Sequence, residues 1–463
     1  MELGPLQPLR SLLEDDVAMG SKTLDATLSQ ALSGEELTAA VRAASIVQLD
    51  QILEHGTLAT LPLSFFLLVS SKASKLEHVR HQEEMGEART KLLQQASQLL
   101  HQIPVSVASK ELKKLSVLVD QYARLAVDMK QSIKTIFPLK SFLRRFHEEG
   151  NAVLIPLHAQ FLYLCLHSKC YFAAMEILDL SLVEVHSQSH LVTSVDFLGY
   201  AYYGGLLYLG EKRYQDAIDF FQLAITAPAI SLSAFVIEAY KKLLLVTLIF
   251  KGEGVMLPKY TPFLAVRHVE NHCAAYADLA NAFVVERDLT AVQEVVTKNE
   301  ELFIQEGNLG LVKQVVQAFK QRKLLQLKRT YATIELTEIA TAAGMASSDA
   351  VAAEKMLLTL VSNGQMDAVI DKQKAMVRFV FENQDGGAHH EQVQSEATKK
   401  LQQEMEKLVL VASQLRFMDV ELVTSAKFQS RLQKDKDRRS RINMHNQQSE
   451  ERLEGASGMD TME

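Results

Sequence analysis

Apolar residues recur at three- and four-residue spacing along most of this chain, and that period predicts helices. From residue 35 to about 74 helical patterns alternate with short breaks; Ser33-Gly34-Glu35-Glu36 is an N-terminal signal and Gly56 a stop. The apolar run 58–69 contains Pro62 and falls short of the roughly 20 residues that span a bilayer, so it reads as a buried helix. A polar helix from about 75 to 101 carries Leu92, Leu93, Ala96, Leu99 and Leu100 on one face and stops at Pro104. A second, from 111 to 136, carries Leu115, Leu118, Val119, Tyr122 and Ala126 and is expected to break at Pro138. Residues 1–34 read as a loose leader and 35–150 as antiparallel helical hairpins.

Residues 151–325 keep this period and become repetitive. In Tyr202-Tyr203-Gly204-Gly205, followed by Tyr208, Gly205 stands 12 residues before Ala217, and Phe221 and Ala224 continue the second helix to Pro228. That is the tetratricopeptide scheme, in which a small residue on one helix meets a small residue on the next and the backbones approach closely. Tyr171, Ala174 and Leu178 echo Tyr214, Ala217 and Phe221 at a distance of 43 residues, and Leu289, Ala291 and Val295 give a fainter echo. The pattern predicts a degenerate α-solenoid, which buries its core between stacked hairpins and presents long surfaces to partners.

After Leu327 the grammar changes. Tyr331-Ala332-Thr333-Ile334 starts a short strand, and a helix over 336–343 closes at Gly344. Ser347-Ser348-Asp349 caps a helix over 350–362 that stops at Asn363-Gly364. Two strands follow, 368–371 and 376–381, around a turn at Lys372-Gln373-Lys374. Strand, helix, helix, hairpin is the order of a winged helix, here over 326–383. In its last strand Val377, Phe379 and Phe381 share one face; read as the edge of the sheet, the strand offers Met376, Arg378 and Val380 to a partner. Beyond a linker, a single helix over 391–426 carries Leu401, Leu408, Val411, Leu415 and Leu422 as a stripe that no later element of the chain covers. Residues 427–463 read as a disordered tail, with seven Lys/Arg and two Asp over 427–441, then one Arg and five acids over 442–463. The fold class is therefore mainly α: a tetratricopeptide-like solenoid, a winged helix and a long C-terminal helix.

Composition narrows the function. Gly (20) and Pro (9) are scarce and Trp is absent, which favours helices over an all-β fold. A net charge of −7 argues against coating phosphate backbones. The second helix of the winged helix, Ala350-Val351-Ala352-Ala353-Glu354-Lys355, lacks the Arg and Asn of a groove-reading helix; residues 330–383 hold four Lys/Arg against seven acids. Three cysteines make no disulfide framework and point to a reducing compartment, and no secretory signal opens the chain. None of the 14 histidines has another two positions away, and no H-E-x-x-H occurs. His268 and His272 beside Cys273 form an i, i+4 pair, but a half-exposed helical face explains them; His158, Cys165, His167 and Cys170 fit no zinc spacing. P-loop and G-x-S-x-G motifs are absent. No catalytic, cofactor or metal site is expected, and the basic block 434–441 reads as solvated tail, with a nuclear-import signal as the alternative.

A helical array ending in a winged helix resembles the PCI family. The strings Tyr202-Tyr203-Gly204-Gly205, Ala224-Ile225-Thr226-Ala227-Pro228-Ala229, Glu238-Ala239-Tyr240-Lys241-Lys242, Leu257-Pro258-Lys259-Tyr260-Thr261 and Gly310-Leu311-Val312-Lys313-Gln314 are similar to the third-subunit family of the COP-nine signalosome rather than to PCI proteins at large. The resemblance implies a non-catalytic scaffold in a multi-subunit hetero-complex, whose metalloprotease, another subunit, removes a ubiquitin-like modifier from cullins. It further implies a ring of winged helices, a shared bundle entered by the C-terminal helix, subunits one and eight as neighbours, and residence in nucleus and cytoplasm. No nucleic acid or membrane partner is expected. The alternatives are a PCI scaffold of the proteasome lid or of a translation initiation factor, and a winged-helix nucleic-acid-binding protein.

Overall fold

The computed structural model describes residues 45–55, 62–78, 86–148, 153–180, 192–228, 231–344, 350–371, 373–380 and 389–426, with a few isolated positions besides. The leader, Gly56, the cap Ser347-Ser348-Asp349, Lys372, Phe381, the linker and nearly all of the tail lie outside the described residues. The chain divides into two units, 1–379 and 380–463.

The first unit opens with α1 (Ile46–His55), α2 (Pro62–His78), α3 (Gly86–Gln102), α4 (Val105–Lys110), α5 (Leu112–Asp128) and α6 (Ser132–Glu148). Pro62 stands at the start of α2, where the missing N–H has no helical partner to lose. The helix expected from 75 does not start there, since α2 already runs from Pro62 through Lys75 to His78; α3 is described from Gly86, and 79–85 lie outside the described residues. Phe65, Phe66, Leu68 and Val69 are buried on α2, and so is Lys72, in an ion pair with Asp50 of α1.

The helix expected over 111–136 also divides, and at Lys130 rather than Pro138. Lys130 takes the left-handed conformation (φ 56°); its N–H donates to the Val127 carbonyl at 3.0 Å and that of Gln131 to Ala126 at 2.9 Å. These are the two reversed bonds that close a helix, usually around glycine. Pro138 lies inside α6, where it removes one ladder bond at a cost of about 3 kcal/mol. Burial of Leu139, Phe142, Leu143 and Phe146 on the same helix offsets that cost.

The repeats follow: α7 (Pro156–His167), α8 (Tyr171–Leu178), α9 (Ser194–Gly210), α10 (Tyr214–Thr226) and α11 (Ala234–Phe250). Lys169 and Lys212 close α7 and α9 in the same left-handed cap (φ 58° and 60°), so the 43-residue echo extends to the turns. Thr193 and Asp196 cap α9 reciprocally, Asp196 N–H donating to Thr193 Oγ1 and Thr193 N–H to Asp196 Oδ2. Gly205, Tyr208, Ala217, Phe221 and Ala224 are all buried where α9 meets α10. The close approach is not small against small, however. A methyl on Gly205 would stand 2.6 Å from the Phe221 ring, and one on Gly204 2.6 Å from the Phe220 ring. The glycines make room for two phenylalanines.

Next come α12 (Phe263–His272), α13 (Ala274–Asn281), a π-helical turn (Ala282–Glu286), α14 (Leu289–Lys298), α15 (Glu300–Gln305) and α16 (Leu309–Thr330). One apolar core runs from Leu49 to Phe319, and a second, smaller one lies under the winged helix. Helix α16 serves both: Val312, Val315 and Phe319 belong to the first and Leu324 to the second.

The winged helix consists of β1 (Thr333–Glu335), α17 (Leu336–Ala342), α18 (Ala350–Ser362), β2 (Ala368–Asp371) and β3 (Met376–Phe379). The sheet order is β1-β3-β2, both pairs antiparallel. Val377 stands opposite Ile334 on one side and Ile370 on the other. This corrects the edge assignment. Met376 and Arg378 lie on the central strand, whose backbone is engaged on both sides, and Val380 lies just past it. The hairpin alone would leave β3 at an edge; the three residues of β1 cover it.

The second unit contains α19 (His389–Thr424).

Candidate assembly surfaces

Two surfaces stand out among the described residues. On the winged helix, Ala353, Leu357 and Leu360 turn α18 inward. Its outward face carries Val351, Lys355 and Leu358, a single cation at groove-reading positions. The outer strands β1 and β2 are each left open on one side, and on β2 Val369 is half exposed.

On α19, Leu401 (64%), Leu408 (66%), Leu415 (59%) and Leu422 (53%) are exposed, as is Val411. The expected stripe is only part of the apolar surface. Val409, Leu410, Phe417, Val420 and Val423 are exposed as well, on other faces of the same turns. Apolarity all round a helix marks an element made to be surrounded. Reading α19 as one stripe hid this, although an unbroken run such as Leu408-Val409-Leu410-Val411 signals it in the sequence.

The sequence reading also missed a polar network that fixes the end of the repeats. Lys241 and Lys242 are buried within the otherwise apolar α11. Lys241 Nζ donates to Glu238 and to Glu306, both at 2.7 Å. Burial opposes the Lys241 charge, but the two carboxylates outweigh it and raise its pKa. Lys242 donates to Asn308 Oδ1, and burial lowers its pKa. Asn308 Nδ2 donates to the Tyr276 hydroxyl at 2.6 Å, and that hydroxyl donates to Glu306 at 2.5 Å. Helices α11, α13 and the start of α16, on which the winged helix is mounted, are thus tied together. Two adjacent lysines inside an apolar helix are the sequence signal.

The histidine clusters do not converge on a site. His268 and His272 share α12, with buried Cys273 behind them. His158 is fully buried and meets His147, not Cys165 or Cys170. No group of three metal-capable side chains exists among the described residues, and no described helix is long and apolar enough to cross a membrane.

A family model described as COP9 signalosome complex subunit 3, N-terminal helical repeats, matches residues 27–265, more than half of the chain. The chain belongs to the COP9 signalosome subunit 3 family. A PCI domain model matches residues 296–380, from α14 through the winged helix. COP9 signalosome complex subunit 3 of Dictyostelium discoideum is 28% identical over 334 residues, 72% of this chain and 77% of that relative. The subunit 3 of Arabidopsis thaliana is 33% identical over 249 residues, 54% of this chain and 56% of that relative. The family match covers the repeats carrying Gly205 and Phe221 as well as the Lys241–Lys242 pair, and the PCI match covers β1 to β3.

Proposed function

We propose that the chain is a non-catalytic scaffold subunit of the COP9 signalosome, an assembly in which another subunit removes the ubiquitin-like modifier from cullins. The observation that carries this reading is α19, a 36-residue helix with exposed leucines at 401, 408, 415 and 422 and further apolar side chains on its other faces. Burying four leucines contributes about 6–12 kcal/mol before association costs. In this reading α19 takes a central place in a bundle of helices from other subunits, touched from several sides, with subunits one and eight as neighbours. The winged helix makes a second contact through the open side of β2, the position first assigned to Met376, Arg378 and Val380. The assembly works in nucleus and cytoplasm.

Leu408→Arg with Leu415→Arg tests the reading. Co-purification of the other subunits is lost while the circular dichroism of the isolated chain stays unchanged. Full recovery of the complex with this variant refutes it.

A further inference from the structure

Between the last repeats and the winged helix the chain encloses a pocket of about 370 Å3. Three segments build it: the turn after α11 at Gly252 and Glu253, the π-helical turn with Arg287 behind it, and α16 over residues 319–329. On α16, Phe319, Arg322, Lys323, Gln326 and Arg329 recur at helical spacing and share one face. A π-turn re-aims the side chains around it and recurs at functional sites. Here it delivers Phe283 and Val284 to the pocket and ends on Arg287 in the left-handed conformation (φ 54°).

The charge of the pocket is lopsided. Arg287, Arg322, Lys323 and Arg329 face the single carboxylate of Glu253, in a chain whose net charge is −7. Among the described residues none of these four cations forms an ion pair. Arg322 is the fixed member: its Nη2 donates to the Phe250 carbonyl at 2.6 Å, closing α11, and Gly252 (φ 69°) leaves the space its guanidinium fills. Arg287 Nε donates to the Val284 carbonyl at 3.1 Å. Lys323 Nζ stands 5.6 Å from the centre of the Phe319 ring, with Asp288 acting on it from farther off. Beneath the cations Phe283 lies edge-on to Phe319 at 5.1 Å, both buried in the core, and the apolar surface left open to the pocket is that of half-buried Val284 and Leu325.

We propose that this pocket receives a short acidic peptide segment of a partner protein. One apolar side chain rests on Val284 and Leu325, above the buried Phe283–Phe319 pair, and flanking carboxylates meet Arg287, Lys323 and Arg329. Arginine clusters recognise acidic motifs through charge-assisted bonds to carboxylates. A bare inorganic anion would satisfy the cations and leave Val284 and Leu325 uncovered; a peptide with an apolar residue between acids satisfies both.

The test uses the full chain and a fluorescein-labelled peptide Glu-Asp-Phe-Glu-Asp, read by fluorescence anisotropy. The peptide binds, and Lys323→Glu with Arg329→Glu weakens it at least about tenfold. Arg287→Gln, on a different segment, weakens it in the same direction. Lys320→Glu with Lys328→Glu makes the same charge change on α16 outside the pocket and shifts affinity by less than about threefold. Circular dichroism verifies that each variant is folded. Absence of peptide binding overturns the proposal, as does equal weakening by the two double variants. Equal affinity of a peptide with Ala in place of Phe overturns it too, as does displacement by equimolar tripolyphosphate, which would make the pocket a site for bare anions.

Discussion

The Nε2 atoms of His147 on α6 and His158 on α7 lie 2.9 Å apart, so a single proton serves both nitrogens. Burial, against a raising bond to Ile155 and with a further push from His147, depresses the pKa of His158 to about 3. The unfolded chain accepts that proton near pH 6.5, and the native chain does so only near pH 3. Stability is therefore complete above pH 6.5 and declines as pH falls toward 3. Between pH 7.5 and 5.5 the loss is about 1.4 kcal/mol from this residue. Urea unfolding at the two pH values measures it, and His158→Gln flattens the difference.

Gly205 tests the packing of α9 on α10. Gly205→Ala places a methyl 2.6 Å from the Phe221 ring and is expected to cost about 1–3 kcal/mol. Phe221→Leu in the same chain recovers part of that loss, because the two positions share one space. Thermal denaturation of the two single variants and the double variant shows the coupling.

Asn308→Leu leaves the Lys242 ammonium buried without its acceptor and strips the Tyr276 hydroxyl of a donor. A broken buried charge contact costs about 3–5 kcal/mol. Adding Lys242→Met removes the charge and recovers most of the stability. Denaturant midpoints decide it; an additive double variant would show that the network is not a unit.

Much of the winged helix was legible because glycine punctuates it. Gly344 and Gly364 sit at φ 71° and 67° where the helices stop, and the expected bounds of α18 and β2 coincide with those observed. Lysine made the earlier helix ends illegible. At Lys130, Lys169 and Lys212 a residue without turn preference takes the left-handed cap, while Pro138, the conspicuous breaker, lies inside a helix. Tertiary packing decides such cases against local propensity. The place of β3 at the centre of the sheet was equally hidden, because its second neighbour, β1, is a three-residue strand 40 or so positions upstream. The cations of the pocket come from two separate segments, Arg287 after the π-turn and Arg322, Lys323 and Arg329 on α16, and carry no local motif.

Arg378→Pro discriminates between a central and an edge β3. On an edge, proline leaves the winged helix folded and affects partner contact alone. At the centre, Arg378 pairs with Thr333 and with Val369, and proline disrupts the sheet at a cost on the order of 1–3 kcal/mol per orphaned group. Loss of amide protection on Ile334 and Ile370 in hydrogen exchange is the expected outcome. Retained protection on both would return β3 to the edge.

The order β1-β3-β2 makes the middle of the sheet the part that the ribosome delivers last. Domains close as they are synthesised, from the N-terminus onward. Helices α1 to α15 and the first half of α16 therefore have their core before the winged helix can have its own. Until Val377 arrives, Ile334 and Ile370 have nothing between them, and β1 and β2 are two open templates for wrong pairing. A message truncated in the turn at 373–375 yields a chain with nearly all of its apolar mass satisfied and one unfinished sheet. For a cell that sorts nascent proteins by what they expose, the maturity of the first unit is decided by its last short strand.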